Sequence, residues 1–335
     1  MLFSNVNEIK TILPIGVGND FNRIKPHIEN VENRYIKPLI GFDMYEALRQ
    51  LYGTEESQGP SDETPEAAEA YGDEMLRRML LSKVQFATIH LSFFTGFDFL
   101  NVSVTDAGFQ RIETERTKSL FKYQEDSLKN HFSETGFNAL DDVLTFLELN
   151  IASFEEFMNS ENFNKLITSF LPNVKTIEEI PFNIHRSNLI FLALKPSIAY
   201  VEDSTILPVL GKVIYEMVKT GMASEAPAHK IIELLPYIRK PLIYYASAML
   251  MEETGATLFD RGLYFDKNED QQRAKVVKGP ASDARIEILV NRNRRIGDNY
   301  LEMLKAFLLA NWEEYSGQVG SAFKRDNNGK KTFFT

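Results

Sequence analysis

The sequence predicts a mainly α-helical protein made of two tandem helical-bundle units, each with one small β-hairpin. Three observations carry that prediction. Apolar residues recur at spacings of three and four through most of the chain, the signature of amphipathic helices. Short alternating stretches with Asp-x-Gly turns occur once in each half. The segment YIKPLIGFDMYE at 35–46 returns as TILPVLGKVIYE at 205–216, 170 residues later. One active site needs one copy of a motif, whereas a duplicated building block explains both the motif and its distance.

The elements follow in order. Pro26, Ile28, Val31, Glu32, Ile36, Pro38, Ile40, Gly41 and Tyr45 face Pro196, Ile198, Val201, Glu202, Ile206, Pro208, Leu210, Gly211 and Tyr215 at that single offset. Ile24, Ile28, Val31 and Tyr35 form one apolar helical stripe, and Pro38 and Gly41 bend the chain into a next short helix. A second block, at an offset of 154, pairs LLSKVQFATIHLSFFTG (80–96) with LLPYIRKPLIYYASAML (234–250), both apolar enough for buried helices. VSVTDAGF (102–109) and ATLFDRGL (256–263) then read as hairpins around tight turns. Between hairpin and last helix a polar helix is expected. A third block pairs LDDVLTFLELN (140–150) with LEMLKAFLLAN (301–311), where Leu140, Val143, Leu144 and Leu147 mark one face. It ends in FEEF (154–157) against WEEY (312–315).

The offsets change only where loops are expected. The first half is sixteen residues longer between Tyr45 and Leu80, and the excess is the acidic segment 54–74, read as a solvated loop. The second half is seven residues longer around VVKGPASDAR (276–285). The predicted organisation is therefore a first unit over 1–160, with its hairpin at 102–113, a second over 161–316, with its hairpin at 256–266, and a basic tail over 317–335.

Composition narrows the function classes. At 335 residues the chain is long enough for two domains, and its 44% hydrophobic and 25% charged residues are ordinary for a globular protein. No run approaches a membrane span, and MLFSNVNEIKTILP lacks the pattern of a secretion signal. There is no cysteine, which excludes disulfides, thiol nucleophiles and thiolate metal sites. The net charge of −10 argues against a basic nucleic-acid-coating surface. Charge is uneven: TEESQGPSDETPEAAEAYGDE (54–74) has eight acids and no base, whereas GSAFKRDNNGKKTFFT (320–335) has four bases and one acid.

Catalytic constellations are nearly absent. G-V-G (16–18) is not a completed dinucleotide fingerprint, and His27, His90, His131, His185 and His229 lack metal-ligand spacing. His90 sits within a buried-helix pattern and reads as a satisfied core residue. DKNEDQ (266–271) starts like a calcium loop but has Gln271 where the turn glycine belongs and Val277 where the bidentate glutamate belongs. NRNRR (291–295) could grip phosphate, but reads better as a polar helix face pairing with acids on a neighbouring element. No cofactor or metal is expected.

The units also resemble a known family: the helical domain of phage head–tail connector (adaptor) proteins, specifically the Bacteroidetes phage type that includes the ring proteins of crAss-like phages. The resemblance is carried by FNRIKPHIENVENRYIKPLIG (21–41) and by VSVTDAGFQRIETERTKSLFKYQEDSLKNHFSETGFNALDDVLTFLE (102–148). In the latter a strand, an Asp-x-Gly turn and a charged strand precede Phe-Lys-Tyr-Gln at the head of a polar helix. It covers most of 5–157. The second half keeps Asp260-x-Gly262 but has AKVVKGPASDAR in place of the Phe-Lys-Tyr-Gln segment.

That resemblance implies a non-enzymatic structural protein of the virion, assembled in the bacterial host cytoplasm. Its partners would be the portal protein, other ring and tail proteins, and itself in a homo-oligomeric ring of about twelve copies. DNA would pass through the channel without sequence-specific binding. Twelve chains would sum to a charge on the order of −120, and an acidic bore repels phosphates. Contacts between subunits are expected at Asp106, Gly108, Arg111 and Glu113 and at Asp260, Gly262 and Asp266. Docking on a partner is expected at Lys324, Arg325, Lys330, Lys331, Phe333 and Phe334. The competing classes are a metal-dependent nuclease or hydrolase using acidic-loop residues such as Asp62 and Glu63, and an adaptor that never enters the particle.

Overall fold

In the computed structural model, residues 1–13, 21–54, 64–100, 102–105, 108–111, 120–160, 169–184, 186–224, 226–254, 266–267, 277–278, 283–313 and 315 are described. The protein is mainly helical and divides into two compact units, Met1–Lys165 and Leu166–Thr335.

The first unit opens with α1 (Val6–Ile12), capped by Asn5, whose side-chain oxygen accepts from the Asn7 and Glu8 amides at 2.9 and 3.2 Å. Next, α2 (Phe21–Val31) buries Ile24, Ile28 and Val31, three of the four stripe positions. The fourth, Tyr35, is only half-buried. The reason is a π-helical turn over Glu32–Ile36, which adds one residue to the helical path and rotates the buried face onto Glu32, Ile36 and Ile40. The short α3 (Lys37–Ile40) and α4 (Phe42–Tyr52) are joined at Gly41, with φ 89° and ψ 155°.

The long helix α5 (Pro65–Leu100) corrects the reading of 54–74 as a loop, because residues 65–74 form its first turns. Their chemistry agrees: Pro65 suits a helix start, Glu66 faces the positive end of the dipole, and alanines fill the turn. Leu80, Val84, Ala87 and Leu91 bury the central face of α5 against α2 and the next long helix, α6 (Lys122–Leu149). The expected polar helix and final amphipathic helix are one continuous rod. Its Gly136 admits Leu91, whose side-chain carbons would lie 2.7 Å from any Cβ there. Leu140, Val143, Leu144 and Leu147 are buried. Strands β1 (Val102–Thr105) and β2 (Gly108–Arg111) pair antiparallel from Val102↔Arg111 to Thr105↔Gly108. After α6, α7 (Glu155–Met158) buries Phe154 and Phe157.

The second unit contains α8 (Val174–Glu178), α9 (Asn188–Val201), a π-turn over Glu202–Ile206, α10 (Leu207–Met222), α11 (His229–Thr254) and α12 (Asp283–Asn311). Gly211 kinks α10 with φ 72° and ψ 153°. The core includes Phe170, Phe191, Leu210, Ile238, Leu304 and Trp312. Two-residue strands β3 (Asp266–Lys267) and β4 (Val277–Lys278) pair antiparallel, further along the chain than the expected turn at Asp260-x-Gly262, which lies outside the described residues.

Several features recur in both units at the offsets of the sequence blocks. Both π-turns end in a buried isoleucine, Ile36 or Ile206, and a positive-φ glycine follows five residues later. The starts of α6 and α12, Lys122 and Asp283, stand 161 residues apart, as do Gly136 and Gly297. Gly297 admits Tyr245 as Gly136 admits Leu91.

Candidate functional site

A buried carboxylate holds each corner together. Glu32 is 2% exposed and accepts from the Leu2 amide at 2.7 Å and the Tyr45 hydroxyl at 2.9 Å. Its counterpart Glu202, 5% exposed, accepts from the Phe170 amide at 2.7 Å, the Ser169 hydroxyl at 2.6 Å and the Lys219 ammonium at 2.7 Å. In each unit the carboxylate ties the chain leading into the bundle to the π-turn. Burial, then the charge and hydrogen bond of Glu32, raise the Tyr45 phenol well above its usual range. Burial, with the charges of Glu202, Asp203 and Glu216, pushes Tyr215 up to about 12. Both phenols therefore stay protonated and neither serves as a base. Lys219 also lies 4.0 Å from the centroid of the Phe170 ring, so its charge is held from two sides. These are devices for rigidity rather than chemistry. The matching glutamates were visible in the repeat, but their burial was not, because a lone Glu beside a valine looks like solvent-facing helix.

The strand pair of the first unit is anchored from behind. The Arg23 guanidinium donates to the carbonyl oxygens of Phe99, Leu100 and Val102 at 3.3, 3.3 and 2.9 Å, capping α5 and fixing the exit into β1. Of the expected contact residues, Gly108 and Arg111 lie in β2 and Asp266 in β3. Asp106, Glu113, Asp260, Gly262, Lys324, Arg325, Lys330, Lys331, Phe333 and Phe334 lie outside the described residues, as do Asp62 and Glu63. The NRNRR cluster divides along its helix. Asn293 turns inward to the Ser247 hydroxyl at 2.9 Å, Arg294 pairs with Glu252 of α11, and Arg292 and Arg295 are exposed. Among the described residues no group of three His, Asp or Glu side chains is placed to hold a metal ion. Nor is any described helix long and apolar enough to cross a membrane.

The units differ most in how they fill the space between their long helices. In the first, Phe132 packs near Phe93, Phe97 and His90, and Phe137 meets Tyr35 and Phe94 edge-on at 6.0 and 6.3 Å. The positions equivalent to Tyr35, Phe94 and Phe137 are Thr205, Ala248 and Asp298. A groove of about 530 Å³ in the second unit is lined by Tyr200, Thr205, Tyr245, Met249, Glu253 and Arg294, with Thr205 standing where the first unit has Tyr35. Tyr245 donates to Asp298 at 2.6 Å, which fixes one wall.

Buried His90 and half-buried His27 give the first unit a pH dependence. His90 donates from Nδ1 to the Phe86 carbonyl at 2.8 Å, and burial lowers its pKa despite that bond, helped by the charge of His131. His27 lies against Gly96 and is lowered by burial too. Folding thus holds both rings neutral, while the unfolded chain takes up protons near pH 6.5. Their contribution is complete above about pH 6.5 and is lost as pH falls through the lower folded values. Burial would raise the Glu156 carboxyl, but hydrogen bonds from Arg77 outweigh it and lower its pKa, so that pair is lost as pH falls below the usual carboxylate range. Urea midpoints for the separated first unit should fall between pH 7 and 5, and His90→Phe should flatten the fall.

A model of a family of unknown function, DUF6712, matches residues 36–166 and matches again over 206–325. No curated protein and no solved structure gives a match. The two matched stretches begin at Ile36 and Ile206, the isoleucines that close the two π-turns. They cover most of the chain, and the chain belongs to that family.

Proposed function

We propose that this DUF6712 member is a structural virion protein, a tandem duplication of a connector-like helical unit that forms a ring in the portal–tail neck. It bridges portal and tail and lines the path by which the genome leaves. It binds rather than catalyses: itself around the ring, the portal on one side and tail proteins on the other. Its location is the neck of the particle, reached after assembly in the host cytoplasm.

The observation that carries this reading is the corner built twice. A π-turn, a buried glutamate and a positive-φ glycine recur 170 residues apart in two units whose outward features differ. Selection that keeps a rigid scaffold twice while varying its surfaces multiplies interfaces, and a closed ring needs two different side faces on every subunit. The resemblance of 21–41 and 102–148 to connector proteins falls on that corner and on the strand pair with its following helix. A net charge of −10 per chain suits a bore that lets DNA slide.

The test is to mix the purified protein with the portal protein of the same genome and sediment the mixture. Co-sedimentation in a fixed ratio, with an added layer on negatively stained portals, is expected. Portals that sediment bare would overturn the assignment to the neck.

A further inference from the structure

At the head of α6 an aromatic pair stands out from the first unit. Phe121 and Tyr123 are 70% and 58% exposed, and their rings stack 5.9 Å apart at an angle of 11°. The backbone beneath them is fixed: the Phe121 amide donates to Gln124 Oε1 at 3.1 Å, and its carbonyl accepts from the Gln124 and Glu125 amides at 2.8 and 3.1 Å. Leu128, two turns on and on the side of Phe121, is exposed too. A pre-ordered, solvent-facing pair of rings loses little entropy on binding, which is the property of an interface anchor.

We infer that Phe121 and Tyr123 of one copy seat in the groove beside Tyr200 and Tyr245 of the next copy, an inference that rests on the ring-forming reading. The positions equivalent to Phe121 and Tyr123 are Ser282 and Ala284, and Tyr35 stands in the first unit where Thr205 lines the groove. The charges match as well. Lys122 lies between the two rings in sequence and Glu253 lines the groove, and neither forms an ion pair among the described residues, whereas Arg294 is neutralised by Glu252. Tyr200, 59% exposed, offers the plug a ring to pack against, and about 530 Å³ accommodates two aromatic side chains. Because the two surfaces differ, the contact is heterologous and each copy can use both, so repetition closes into a ring. Two rings bury only a few hundred Å², short of the roughly 1,200–2,000 Å² of a stable interface, so they anchor a wider contact.

The absence of cysteine makes a direct test possible. Tyr123→Cys and Ser204→Cys place thiols on the exposed plug and on the exposed rim of the groove. Treated with a short bismaleimide, a mixture of the two single variants should give a covalent dimer. The double variant should give a ladder of higher species, and neither single variant alone should cross-link. Absence of the mixed dimer, or closure of the double variant only within one chain, would overturn the inference. Phe121→Ser/Tyr123→Ser provides a second readout, raising the concentration needed for self-assembly about tenfold or more, as for loss of a hot spot. Unchanged self-assembly in that variant would also overturn it. Portal co-sedimentation of the same variants separates the two claims. Portal binding without the 123–204 cross-link leaves the neck reading standing and removes this contact, and the converse removes the neck.

Discussion

Glu202→Ala is expected to destabilise the second unit by about 3–5 kcal/mol, the range for removing one partner of a buried ion pair. The substitution strands three donors at once: the Phe170 amide, the Ser169 hydroxyl and the Lys219 ammonium, all within 2.7 Å of the carboxylate now. The Lys219 side chain is 19% exposed, so its charge loses its counter-ion in a place where water replaces it poorly. Glu202→Gln keeps the shape and an acceptor for the amide but drops the charge, and should cost about 1–3 kcal/mol, the scale of one compromised buried hydrogen bond. Glu202→Ala/Lys219→Met removes the orphaned charge and should recover part of the loss. Urea unfolding of the separated second unit gives these values. A loss below about 1 kcal/mol for Glu202→Ala would show that the corner does not depend on its carboxylate.

Gly211→Ala should also weaken the second unit, by about 1–3 kcal/mol. At φ 72° and ψ 153° the backbone occupies a region essentially closed to residues with a Cβ. The strain cannot relax locally, because Leu210 before the kink and Ile214 after it are both fully buried. Gly41, at φ 89° and ψ 155°, has the same problem and a further one: a Cβ there would stand 3.3 Å from Cβ of Ser160. Gly41→Ala should therefore cost at least as much in the first unit. Thermal unfolding of each separated unit and its alanine variant checks both. Equal stability would mean that the kink is tolerant and that the recurrence of glycine carries no conformational meaning.

What could be read from the sequence follows from which interactions leave a periodic trace. The stripes Ile24–Ile28–Val31 and Leu140–Val143–Leu144–Leu147 were legible because burial repeats every three or four residues. Tyr35 was misplaced because a π-turn is a change of hydrogen-bond register, and hydrophobic spacing records it only as a phase slip of one residue. The acidic composition of 54–74 suggested a loop throughout, yet from Pro65 onward glutamate and alanine are good helix formers. The polar and final helices of the first unit are one rod, and only the packed structure reveals Leu91 filling the place of a Cβ at Gly136. The groove was out of reach for a different reason. Its lining joins Thr205 of the π-turn, Tyr245 and Glu253 of α11 and Arg294 of α12, which are far apart in the chain and meet only in the folded unit.

A buried glutamate ties the corner of each unit, and the two units carry different residues at equivalent positions. A subunit with dissimilar faces is suited to a closed ring. The measurement that meets this claim most directly is sedimentation velocity of the wild-type protein across a range of concentrations, with negative-stain imaging of the assembled fraction. The account predicts a discrete large species that images as closed rings of one symmetry. A single monomeric species at every concentration, with no rings on the grid, would contradict it.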